Sequence, residues 1–65
     1  MSNFKDRLKT EEKSLKDKVE KLDKFISSDN FHSINSLQKI LLPIQLGVMK
    51  IYLNILSVRI EDLGK

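Results

Sequence analysis

The sequence predicts an all-α fold: an antiparallel two-helix hairpin that assembles into a symmetric helical-bundle homo-oligomer. Three observations predict it. Apolar residues recur at helical spacing in two long segments. A short stretch rich in Ser, Asp and Asn separates those segments. The second segment is apolar on two separate faces, whereas a helix packed against one partner needs one stripe.

Helix one is expected over about residues 3–27. Its apolar positions are Phe4, Leu8, Leu15, Val19, Leu22 and Ile26, with Phe25 alongside. Glu12, Asp17 and Glu20 each precede a lysine by four residues, the favourable order for helix ion pairs, at roughly 0.2–0.5 kcal/mol each. One narrow stripe is therefore buried and the rest is wet. Glu11 and Glu12 interrupt the stripe, so the first two turns are expected to be loosely held.

The connector spans residues 28–35, Ser28-Asp29-Asn30-Phe31-His32-Ser33-Ile34-Asn35. Its short polar side chains compete with helical hydrogen bonding. Phe31 and Ile34 are expected to tuck under the turn. Asn35 followed by Gln38 fits a capping pair, in which Asn35 accepts from free N–H groups and Gln38 reaches back.

Helix two is expected over about residues 36–62, stopped by Gly64. At about 100° per residue, Pro43, Gly47, Lys50, Asn54, Ser57 and Glu61 fall on a wet arc. To one side lie Leu37, Ile44, Val48, Ile51, Ile55 and Val58. To the other lie Leu42, Leu46, Met49, Leu53, Leu56, Ile60 and Leu63. Opposite the wet arc runs a line spaced by sevens: Gln38, Gln45, Tyr52 and Arg59. Pro43 removes one backbone bond about two turns in, and Gly47 weakens the same side; a kink is expected there.

Length points the same way. A single domain over residues 1–65 buries only about 60% of the surface that its unfolded chain exposes, which is marginal without a staple. There is no cysteine, which excludes disulfides and thiolate metal sites. The one histidine, His32, cannot hold a metal alone. Self-association remains, and Ile44, Val48, Ile51, Ile55, Val58, Leu42, Met49 and Leu56 are the expected oligomer interface.

The charge of +3 comes from closely interleaved acids and bases, unlike a nucleic-acid-binding tail. A nucleic-acid partner is not expected. The apolar run from Ile40 to Ile60 is long enough to span a bilayer. Lys50 at its centre would cost on the order of 2.5–3.5 kcal/mol there, and its polar residues fall on defined lines. A protein-packed helix is therefore expected rather than a membrane span. The opening Met1-Ser2-Asn3-Phe4-Lys5-Asp6 does not read as a signal peptide, so the expected location is cytoplasmic.

No catalytic residue, cofactor or metal is implied: there is no nucleophile with a histidine partner, no phosphate loop and no metal spacing. His32 is expected at the surface. The polar line is the candidate site. Tyrosine stacks on rings, glutamines meet polar edges and arginine grips phosphate bidentately. The same four residues also read as a buried polar layer that sets helix register and subunit number. The two readings are compatible at a seam between subunits.

Two patterns then resemble a known group: Leu22-x-x-Phe25-Ile26-x-Ser28-x-x-Phe31, and Leu41-Leu42-x-x-Gln45-x-x-x-Met49-x-x-Tyr52-x-x-x-Leu56-x-x-Arg59-Ile60. Together they resemble a family of very short phage-encoded helical hairpins related to a small protein of a crAss-like phage. In size and style that family is similar to phage sponges, compact oligomers that sequester nucleotide immune messengers of the CBASS or Thoeris type. The resemblance implies a non-enzymatic anti-defence protein in the cytoplasm of an infected bacterium. It would bind a cyclic or phosphate-bearing nucleotide through Gln38, Gln45, Tyr52 and Arg59. A direct inhibitor of a host defence protein, and an RNA-binding helical dimer like the plasmid regulator Rop, are the alternatives.

Overall fold

The computed structural model describes residues 3–64; Met1, Ser2 and Lys65, the ends of the expected domain, lie outside the described residues. The order is helix α1 (Phe4–Ile26), a 3-10 turn (Asp29–Ser33) and helix α2 (Ser36–Leu63). No strand occurs among the described residues. The molecule measures 45 × 19 × 15 Å. At about 1.5 Å per residue, α2 alone accounts for nearly all of that length.

Each helix begins on an asparagine. Asn3 Oδ1 accepts from the Asp6 N–H at 2.8 Å, and Asn35 Oδ1 accepts from the Gln38 N–H at 2.9 Å. These bonds satisfy donors that a helix N-terminus leaves open. Between the helices, the Ser28 hydroxyl donates to the Phe25 carbonyl at 2.6 Å, and Ser33 to Asn30 at 2.7 Å. Phe31 sets its ring edge-on to Phe25, centroids 6.3 Å apart. Phe31 and Ile34 are half-buried, so they close the turn end of the core while His32 stays exposed.

Helix α2 runs unbroken through Pro43 and Gly47. Pro43 deprives one carbonyl of its helical partner, but it lies on the exposed side, where water can replace that bond. Gly64 closes the helix in the right-handed region, its N–H donating to the Ile60 and Glu61 carbonyls.

The core lies between the helices. Leu8 and Val19 of α1 and Leu46 and Leu56 of α2 are buried, and Leu56 is fully enclosed. Around them Leu15, Leu22, Leu42, Met49, Leu53 and Ile60 are half-buried. One flank of α2 is thus covered by α1. The other, containing Ile44, Val48 and Ile51, is bare. Leu56 is removed from the set expected at a seam between copies, because its whole surface is already used inside the chain. Leu42 and Met49 likewise belong in part to this internal core.

Two side-chain hydrogen bonds join α1 to the second half of α2. Glu11 accepts a hydrogen bond from the Tyr52 phenol, and Glu12 Oε2 accepts from the Ser57 hydroxyl at 2.5 Å. The carboxylates that break the apolar stripe are the groups that bind the start of α1 to the end of α2.

Candidate functional site

The four residues at seven-residue spacing lie where the covered flank of α2 gives way to the bare one. A spacing of seven is close to two turns, so the side chains stack at about 10.5 Å intervals along one edge. All four are exposed.

Tyr52 is the fixed point of the line. Its phenol donates to Glu11, which orients the ring at the border with α1. That hydrogen bond, with partial desolvation and the negative charge of Glu11, raises the phenol above its ordinary pKa of 10.0; the positive charge of Arg59 opposes the shift. Tyr52 therefore stays a neutral donor at physiological pH. Tyr52 as a whole is 41% exposed, which leaves part of it open to a stacking partner.

Arg59 lies two turns further along. Its guanidinium sits 5.9 Å from the centre of the Phe4 ring, a cation–π contact that leaves hydrogen-bonding edges free. Lys5 adds a second positive charge at this end. Its Nζ lies near the last turn of α2, 3.6 Å from where a Cβ on Gly64 would stand. A cation there suits the negative end of the helix.

The other half of the line is less tied. The Gln45 amide approaches the Met49 sulfur at 3.9 Å, a weak contact one turn away. Gln38 gives its backbone N–H to Asn35, but among the described residues its side chain makes no return bond. Half of the expected capping pair forms, and both glutamine amides face outward.

Sequence reasoning missed Phe4 and Glu11 as neighbours of the line. The available signal was positional: in a chain that doubles back, residues near the start of α1 come to lie beside those near the end of α2. Among the described residues no cluster of three or more His, Cys, Asp or Glu side chains could hold a metal ion. A shallow hollow on α1, lined by Thr10, Lys13, Ser14, Lys16, Asp17 and Glu20, meets none of the four line residues. It is a charged surface of one helix, open to solvent.

The chain matches the family described as Sequestin over residues 2–62. It belongs to the Sequestin family. Among curated proteins and among solved structures, none matches the chain. The match spans both helices and the connector, and the family's name denotes sequestering rather than catalysis.

Proposed function

We propose that this Sequestin is a phage anti-defence protein that sequesters a small nucleotide immune messenger, of the CBASS or Thoeris type, at seams between its own copies. Each copy is an antiparallel hairpin, and the copies form a helical-bundle homo-oligomer in the cytoplasm of the infected bacterium. Tyr52 stacks on a base, Arg59 holds phosphate, and Gln45 and Gln38 meet polar edges. The negative charge of Glu11 beside the phenol directs the phosphate away from Tyr52 and toward the Arg59 end.

The observation that carries this reading is the line itself: an exposed aromatic face and a guanidinium on one edge of α2, beside an apolar flank that α1 leaves bare. The family name supports sequestration as the mode of action. Isothermal calorimetry against cyclic oligonucleotides and cyclic ADP-ribose derivatives tests it. Binding is expected, with Tyr52→Ala and Arg59→Ala each weakening it at least tenfold. No heat with any messenger overturns the reading.

The bare flank also favours a second reading, direct inhibition of a host defence protein through a helix groove. A chain that remains single in solution and captures such a protein favours it. An RNA-binding dimer, the third, predicts binding that weakens steeply with salt. Helix α2 is long and apolar enough to cross a membrane, with a mean hydropathy of 1.6 over its most apolar 18 residues. We place it against protein because Lys50, Asn54 and Ser57 are aligned on its wet side.

A further inference from the structure

The bare flank of α2 is regular as well as exposed. Leu41, Ile44, Val48, Ile51, Ile55 and Val58 follow at alternating steps of three and four, and each is between 45% and 65% exposed. That alternation gives a period of about 3.5, the requirement for a second helix wound against the first. A lipid surface imposes no such period.

The exposed area has the size of an interface. A compact protein of 7.6 kDa exposes about 4,300 Å² by the usual size scaling, whereas this chain exposes 5163 Å². The excess of about 850 Å² is close to the roughly 800 Å² that each partner buries in a standard complex.

We infer that the occupant is a second copy of this chain, whose α2 runs antiparallel to the first about a two-fold axis between Met49 and Lys50. The inference rests on the self-assembly proposed above and gives it a partner and a register. Helix α2, Ser36–Leu63, has its midpoint between residues 49 and 50. The stripe is symmetric about that same point. Leu41 then lies opposite Val58 of the second copy, Ile44 opposite Ile55, and Val48 opposite Ile51. Every layer is apolar and the helix ends coincide. A parallel pair is disfavoured, because two-stranded parallel coils prefer leucine at alternate seam positions where this stripe has Ile44, Ile51 and Val58. Antiparallel alignment also sets each helix's positive end beside the other's negative end.

The same axis completes the candidate site. It brings both polar lines to one side of the seam, with Gln45 of each copy beside Tyr52 of the other, and Gln38 beside Arg59. The two Tyr52 positions are offset by five residues along the axis, about 7.5 Å at 1.5 Å per residue. Ring contacts need about 3.5–4.0 Å on each face, so one planar base fits between two tyrosines.

Engineered cysteines test the register, since the chain has none of its own. Leu41→Cys and Val58→Cys sit on exposed positions, so the fold within each copy is left intact. On oxidation, a mixture of the two variants is expected to give a disulfide-linked pair, while either variant alone gives none. In the proposed register Leu41 is about 25 Å along the axis from its own counterpart. Self-linking of each single variant overturns the antiparallel register while leaving self-assembly standing. A single-chain mass in light scattering overturns both. Co-flotation with phosphatidylcholine–phosphatidylglycerol vesicles overturns the choice of partner. None of these readouts contains a nucleotide, so failure of messenger binding does not touch them.

Discussion

Tyr52 is the only tyrosine in the chain, and there is no tryptophan, which makes its ionisation directly readable. Its phenol donates to Glu11, and that bond holds it above its ordinary pKa. A phenol raised in the folded state stabilises the fold while protonated. The contribution is present in full below the unfolded value near pH 10 and is lost as pH rises through the higher folded value. The tie is therefore intact at neutral pH and released in alkali. Following phenolate absorbance against pH, Glu11→Gln is expected to lower the Tyr52 midpoint; an unchanged midpoint shows that Glu11 does not hold the phenol. The line containing Tyr52 was legible in the sequence because seven-residue spacing survives any choice of helix ends. Its tie to Glu11 was not legible. Pairing across two helices depends on a register set by the connector, and local patterns do not contain it.

At the scale of the elements, caps and breakers oppose one another along α2. Asn35 satisfies the free N–H of Gln38 in the first turn of the helix, and Asn35→Ala is expected to lower stability by about 1 kcal/mol. Gly47 acts in the other direction. A Cβ built there meets nothing within 4 Å, so Gly47→Ala is expected to raise stability by about 0.8–1.0 kcal/mol through helix propensity alone. Thermal unfolding by circular dichroism at a fixed chain concentration checks both signs. The helix ends were readable because capping residues and apolar periods mark them: α2 begins at the expected Ser36 and runs one residue past the expected end, to Leu63. The 3-10 turn at Asp29–Ser33 was not readable. Ser, Asp and Asn disfavour a continued α-helix without specifying which tight turn replaces it.

At the scale of the whole molecule, the proposed assembly gives the two flanks of α2 separate duties, and substitutions are expected to separate them. Leu56 is fully enclosed, and Leu56→Ala is expected to cost about 2–5 kcal/mol of fold stability. Ile51 is 65% exposed, and Ile51→Lys is expected to leave helix content unchanged while reducing the proposed assembly to single chains. Light scattering beside circular dichroism distinguishes the outcomes; loss of helix in Ile51→Lys would contradict this division. The division into two flanks could be read from periodicity. Which flank α1 covers could not, since both are apolar enough to serve. The structure assigns α1 to the Leu46/Leu56 side, where Leu8 and Val19 supply the facing residues.

The bare stripe also has a consequence for dosage. In the proposed pairing, the fraction of covered stripes follows mass action and rises with chain concentration. Halving expression would then cut the paired form by more than half whenever single chains predominate. A ligand that binds only the pair would draw further copies into it. Protection by such a protein would have a threshold in abundance, lower when the messenger is already present.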